Sequence, residues 1–201
     1  MARKKKSSWI PFVSIVGVLA LIGIWVFVTT EQFDLDGSTY AYTDDQFVRE
    51  TPVATIIEFG DFQCPACGQF ASVMKQLKEQ TEAEIVYKHF PLAQFPFSLQ
   101  AAEASECARN QNRFWAYHDI LFDNQQRISP SFLRQAAEAI GLDMNEWRTC
   151  VDNRETQIIV AEHMQEAQER GVSGTPTVFI NDEEVPYRTV QQFITHIQNM
   201  E

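Results

Sequence analysis

Cys64-Pro65-Ala66-Cys67 decides how this chain folds. It follows the largely β-branched run Val53 to Phe59 and opens a segment in which Phe70, Val73, Met74 and Leu77 recur at helical spacing. The local order is therefore strand, cysteine pair, helix. Pro65 suits the first helical position, because its φ is preset and the N–H it lacks is one the helix could not have paired. A cysteine at a helix start feels unpaired backbone N–H groups and the positive end of the dipole, both of which favour thiolate over thiol. Thiolate is the form that attacks disulfides.

A C-x-x-C pair can also be half of a zinc site or two inert thiols. Zinc needs four ligands, commonly from a second such pair or from suitably spaced histidines. Cys107 and Cys150 stand alone, and His89, His118, His163 and His196 are scattered without ligand spacing. Dithiol redox chemistry is expected, with no metal and no other cofactor.

Downstream, Gly171-Val172-Ser173-Gly174-Thr175-Pro176 forms a turn leading into the strand Thr177-Val178-Phe179-Ile180. Proline is tolerated at a strand start, and an X-Pro bond in a tight turn can be cis. Together with the dithiol, this arrangement resembles the thioredoxin fold. The segment Ile56-Ile57-Glu58-Phe59-Gly60-Asp61-Phe62-Gln63-Cys64-Pro65-Ala66-Cys67, followed by Lys88-His89-Phe90-Pro91-Leu92 and Gly174-Thr175-Pro176-Thr177, narrows it. Over residues 50 to 198 the chain is similar to the DsbA-like thiol:disulfide oxidoreductases.

That resemblance implies a helical domain inserted into a thioredoxin fold, with Cys64 as nucleophile and Cys67 as its partner in a redox-active disulfide. It also places Glu58, six residues before Cys64, as an aid to proton movement. Thr175 and Pro176 would hold the substrate backbone. Reoxidation would fall to a quinone-linked membrane oxidase of the DsbB or vitamin K epoxide reductase type. One departure is visible: the best-known strong oxidant has histidine between its cysteines, whereas Ala66 has no side-chain donor for a thiolate.

Glu58 also stands out from the residues alone. Ile56, Ile57 and Phe59 surround it, and a strand covered on both faces would bury its carboxyl, raise its pKa and let it exchange protons with Cys67. Lys88 and Asp61 are candidate electrostatic neighbours of Glu58, each read first as a surface charge, and His89 and His118 read as packed or surface histidines rather than catalytic ones.

Working outward, a strand is expected at Ile85 to Tyr87, then helices at Phe97 to Asn110, around Phe114, Trp115, His118, Leu121 and Phe122, and around Phe132, Leu133, Ala136, Ala137 and Ile140, where Gly141 is a C-terminal stop. Met144 to Val151 and Glu155 to Arg170 continue the series. Asn181-Asp182-Glu183 supplies turn chemistry, Glu184-Val185 a return strand, and Val190, Phe193, Ile194 and Ile197 a closing helix. The helical insertion covers about 96–170 of a domain at 50–198. Four cysteines allow three pairings; in an exported domain Cys107 with Cys150 is expected as a structural disulfide, two buried free thiols being the alternative.

Residues 1–8 form a basic start, with Arg3, Lys4, Lys5 and Lys6 ahead of an uncharged apolar stretch from Trp9 to Val28. Residues 9–29 are long enough to cross a bilayer, which takes about 20 residues. A cleaved signal has an apolar core of about 7–15 residues and an A-x-A-like site, which Val26-Phe27-Val28-Thr29-Thr30-Glu31 matches poorly. A transmembrane anchor is expected, with the N-terminus cytoplasmic, a linker at 30–49, and the domain extracytoplasmic at the cell membrane.

All 27 acidic side chains follow Thr30, against the twelve bases left once Arg3, Lys4, Lys5 and Lys6 are set aside, a formal net of −15. Nucleic acid is thereby an unsuitable partner, and the charge suits a solvated exported surface. The expected fold class is α/β, a thioredoxin-like fold with an inserted helical domain preceded by one transmembrane helix. The expected function is introduction of disulfides into exported, cysteine-containing proteins. A reductase or isomerase, for instance in cytochrome maturation, is the main alternative, ahead of copper delivery or a chaperone-type binding protein.

Overall fold

The computed structural model of the protein describes residues 52–186 and 190–200. The expected basic start, transmembrane anchor and linker lie outside the described residues. Among the described residues no helix is long and apolar enough to cross a membrane.

Strand β1 (Thr55–Gly60) leads through a short loop into helix α1 (Pro65–Gln80), and β2 (Glu84–His89) returns beside it. Helices α2 (Ser98–Arg109), α3 (Phe114–Asp123), α4 (Pro130–Ala139), α5 (Met144–Asp152) and α6 (Gln157–Glu169) follow, with a short 3-10 turn at Gln125–Arg127. Strands β3 (Thr177–Ile180) and β4 (Glu183–Glu184) and helix α7 (Val190–Gln198) close the chain. The sheet order is β2-β1-β3-β4, with β1 parallel to β2, and β3 antiparallel to both β1 and β4. This is a thioredoxin-like α/β fold carrying a helical insertion.

Strand periodicity sorts β1 onto two faces. Ile56 and Glu58 point with Ile85, Tyr87, Val178 and Ile180 toward α1, whose Phe70, Val73, Met74 and Leu77 complete that side of the core. Phe59 points the other way, packing edge-on against Phe179 beside Ala167 of α6 and Val172. The core of the first face continues into the insertion through Ala101, Ala104 and Ala108 of α2, whose small side chains let α3 and α5 approach closely. Phe193 of α7 packs edge-on against Phe70.

Local chemistry explains the insertion's boundaries. α4 begins with Ser129 accepting from the Phe132 N–H and Pro130 in the first turn, and ends before Gly141 at φ 74°. α5 begins with Asp143 accepting from the Asn145 and Glu146 N–H groups. Cys107 of α2 and Cys150 of α5 form a disulfide with Cα atoms 5.9 Å apart. Around it Trp147 donates to the Ala104 carbonyl, and Thr156 Oγ1 to the Glu103 carbonyl.

Several expectations are corrected. The return strand is Glu183–Glu184, one residue earlier than read, because Asn181 and Asp182 both take positive φ (49° and 69°) and form a two-residue hairpin turn that pairs Ile180 with Glu183. Asp61 is no surface charge but 2% exposed. Lys88 is half-buried and paired with Glu166 of α6.

The Cys107–Cys150 bridge closes a loop of 43 residues, for which loop entropy predicts a contribution of roughly 4 kcal/mol. Replacing both cysteines with alanine is expected to lower the thermal midpoint by several degrees while leaving dithiol exchange at Cys64 intact. An unchanged midpoint in calorimetry would count against the bridge as a stabilising element.

Candidate active site

Cys64 is the N-cap of α1, with extended backbone (φ −72°, ψ 119°) and no side-chain cap. Its sulfur is thus left at the open end of the helix, and Pro65 begins the first turn. Cys64 N–H donates to the Asp61 carbonyl at 3.1 Å, and Gly68 N–H donates to the Cys64 carbonyl at 3.2 Å. Gln125, from the turn after α3, sends Nε2 to the Phe62 and Cys64 carbonyls at 2.8 and 2.9 Å. That amide passes over α1 only because position 68 has no side chain: a Cβ there would stand 2.1 Å from Gln125 Oε1.

Across from the helix start lies the Thr175-Pro176 turn, whose peptide bond is cis. Cys64 Sγ lies 3.4 Å from the Thr175 carbonyl oxygen.

Cys64 and Cys67 are both unbridged and buried. The two sulfurs differ sharply. The Cys67 thiol donates to Cys64 and, with the Ala66 and Cys67 backbone N–H groups, outweighs burial to lower the Cys64 pKa from 9.0 to about 5. The donors that Ala66 cannot supply through a side chain thus come from the backbone and from Cys67. Cys67 is 0% exposed. Its hydrogen bond to Cys64, then burial and the Glu58 charge, push its own pKa far above the ordinary thiol value.

Glu58 lies on the β1 face beneath α1, between Tyr87 and Val178 in the sheet register. Its carboxyl is 1% exposed. Burial raises its pKa from 4.5 to about 8 against the opposing pull of Lys78, so it carries a proton at neutral pH. Its Oε1 and the Tyr87 hydroxyl are both buried without hydrogen-bond partners among the described residues. The Tyr87 ring is seated against Gly60, where a Cβ would come within 2.6 Å of it.

Asp61 organises the loop between β1 and α1. Its carboxylate accepts from the Gln63 and Leu92 N–H groups at 2.8 Å each and from the Ser98 hydroxyl, and its own N–H donates to Cys67 Sγ at 3.5 Å. Gln63 in turn accepts from the Phe97 N–H at the start of α2. His118 sits in an aromatic cluster with Phe62, Tyr87 and Phe122, kept neutral by burial, which lowers its pKa to about 4, while Asp119 holds its Nδ1 at 2.7 Å.

The fold therefore brings Cys64, Cys67, Glu58, Thr175 and Pro176 to one place, and sets the Cys107–Cys150 bridge in the insertion. Sequence reading missed Tyr87 and Gln125, and placed Asp61 at the surface. Tyr87 had a signal in the period-two pattern of β2 beside Glu58, and Asp61 had one as an acid ahead of a helix start. Gln125 had none.

A family model described as thioredoxin matches residues 49–199, and the chain belongs to the thioredoxin family. The Na(+)/H(+) antiporter NhaA 1 of Salinispora arenicola is 39% identical over 135 residues, 66% of this chain and 21% of the antiporter. The chain thus spans about a fifth of the length of that curated relative. The probable disulfide bond formation protein D of Bacillus anthracis is 23% identical over 181 residues, 83% of each chain. The crystal structure of the thiol-disulfide exchange protein alpha-DsbA2 from Wolbachia pipientis aligns with a TM-score of 0.69 at 18% identity, covering 78% of this chain and 91% of that one. Sheet, insertion and cis-proline turn give this chain the fold of the DsbA-like thioredoxin relatives.

Because the folded pKa of Glu58 lies above its ordinary value, its contribution to stability is complete below about pH 4.5 and is lost as pH rises toward about 8. Glu58→Gln keeps the shape and removes that loss. It is expected to match the parent near about pH 4 and exceed it increasingly to about pH 8, by roughly 3–5 kcal/mol at the upper end. Denaturant melts across this range measure the difference, and a gap independent of pH would contradict a buried, protonated Glu58.

Proposed function

We propose that this protein is an extracytoplasmic thiol:disulfide oxidoreductase that introduces disulfides into exported, cysteine-containing proteins. The observation that carries the reading is the asymmetry of the pair. Cys64, 7% exposed at the start of α1, is a stabilised thiolate, while Cys67 is a fully enclosed thiol over a protonated carboxyl.

In the oxidised enzyme a substrate thiolate attacks Cys64 Sγ, and the Cys64–Cys67 bond breaks with the electron pair leaving on Cys67. Glu58 gives that sulfur its proton. A second substrate thiolate then attacks the substrate sulfur of the mixed disulfide, and Cys64 departs as thiolate. The substrate loses two electrons to the enzyme's dithiol. A leaving thiol of low pKa departs readily, and stabilising the reduced form makes the pair a stronger oxidant. Thr175 and Pro176 hold the substrate backbone during both exchanges. No cofactor enters the reaction.

The anchor at Trp9 to Val28, with Arg3, Lys4, Lys5 and Lys6 on the cytoplasmic side, would keep the domain at the outer face of the cell membrane. There a quinone-linked oxidase of the DsbB or vitamin K epoxide reductase type would recharge the dithiol. The disulfide bond formation protein D relative, similar along most of both chains, supports this direction of electron flow. The stretch shared with the antiporter is 21% of that protein, and the dithiol supplies a chemistry of its own.

Oxidised full-length protein mixed with a reduced dithiol peptide is expected to produce peptide disulfide and enzyme dithiol in equal amounts. Cys64→Ser is expected to abolish the exchange. Cys67→Ser leaves the nucleophile without its resolving partner and is expected to accumulate a mixed disulfide with oxidised peptide. Full exchange by Cys64→Ser would overturn the assignment.

A further inference from the structure

His89 ends β2, Glu106 lies in the middle of α2, and His163 lies in α6. Nothing in their sequence spacing connects them, yet one donor atom from each falls within 4.8 Å of the other two. His89 Nε2 is 2.8 Å from Glu106 Oε1, and the His163 ring stands beside His89 with centroids 5.4 Å apart. His89 and Glu106 are both about 1% exposed, whereas His163 is only partly buried and gives the cluster its opening to solvent.

We propose that His89, Glu106 and His163 form a binding site for a divalent transition cation of the zinc type. Two imidazoles and a carboxylate are the donor set of an open zinc site, which leaves a further position for water. Zinc–nitrogen bonds of about 2.0–2.1 Å put neighbouring ligand atoms roughly 3.3–3.5 Å apart in a tetrahedron. The present separations bracket that spacing, so small side-chain rotations would close the site around an ion. His163 is the residue that distinguishes this arrangement from an ion pair. Glu106 Oε1 has His89 Nε2 at 2.8 Å and Arg109 Nη2 at 3.3 Å, while Oε2 accepts from Arg109 Nε at 2.8 Å. His163 sets its ring beside that of His89 and accepts the His89 backbone N–H through Nδ1 at 3.3 Å.

Arg109 has a place in such a site. Its Nε donates to Glu106 Oε2 at 2.8 Å and its Nη2 more weakly to Oε1 at 3.3 Å, while its guanidinium lies 3.7 Å over the Phe114 ring, so it fixes the plane of the carboxylate beside the two histidines, as an outer-shell partner orients a ligand. Its charge also offsets that of Glu106, which favours nitrogen-loving cations over calcium or magnesium, whose sites are built of oxygen. A bound ion would tie the end of β2 to α2 and α6, the first and last helices of the insertion.

The test uses full-length protein with Cys64 and Cys67 oxidised to their disulfide, so that the thiols do not compete, and zinc as the probe. Equilibrium dialysis is expected to give one zinc per chain, accompanied by a rise in thermal midpoint that a chelator reverses. His163→Ala, a change at a partly exposed position, is expected to weaken binding about tenfold or more and to abolish the zinc-dependent rise. Glu106→Gln is a second variant, read only if it remains folded. Absence of stoichiometric binding, or binding unchanged by His163→Ala, would overturn the proposal.

Discussion

The first turn of α1 is the constraint on which the rest of the molecule depends. Its open N–H groups, the Cys67 thiol and the nearby Thr175 carbonyl all converge on one sulfur. None of those contacts exists unless the turn is held at a fixed height over the sheet. Asp61 holds it from below through backbone donors, and Gln125 holds it from the side across the gap left by Gly68. The insertion is thus part of the redox site, since Gln125, Phe97 and Ser98 all belong to it and all contact the active-site loop.

Burial is used in two opposite ways. Asp61 and Glu106 are buried but satisfied, each surrounded by donors, and they tie elements together. Glu58 and Tyr87 are buried with polar atoms unpaired, a cost that a purely structural core would not retain. Their place is the face that carries Cys67. A carboxyl that keeps its proton at neutral pH beside the Cys67 thiol is what the proposed proton transfer rests on.

The features legible in the sequence were those whose signal is local. The helix start at Cys64-Pro65, the acid in an apolar strand at Glu58, and the turn at Thr175-Pro176 each announce themselves within a few residues. The helices of the insertion showed their apolar period and their stops. What escaped reading depends on contacts between distant elements: Gln125 on the Cys64 carbonyl, Tyr87 over Gly60, and the meeting of His89, Glu106 and His163. The register of β4 slipped by one residue because positive φ at both Asn181 and Asp182 tightens the hairpin beyond what turn composition alone shows.

The central claim is that the site holds Cys64 as a stabilised thiolate and is thereby an oxidant. The reduction potential of the Cys64/Cys67 pair, measured in the full-length protein against glutathione buffers with Cys107 and Cys150 joined, tests it most directly. A value near about −120 mV is predicted, whereas one near roughly −270 mV, that of a thioredoxin-like reductant, would contradict it.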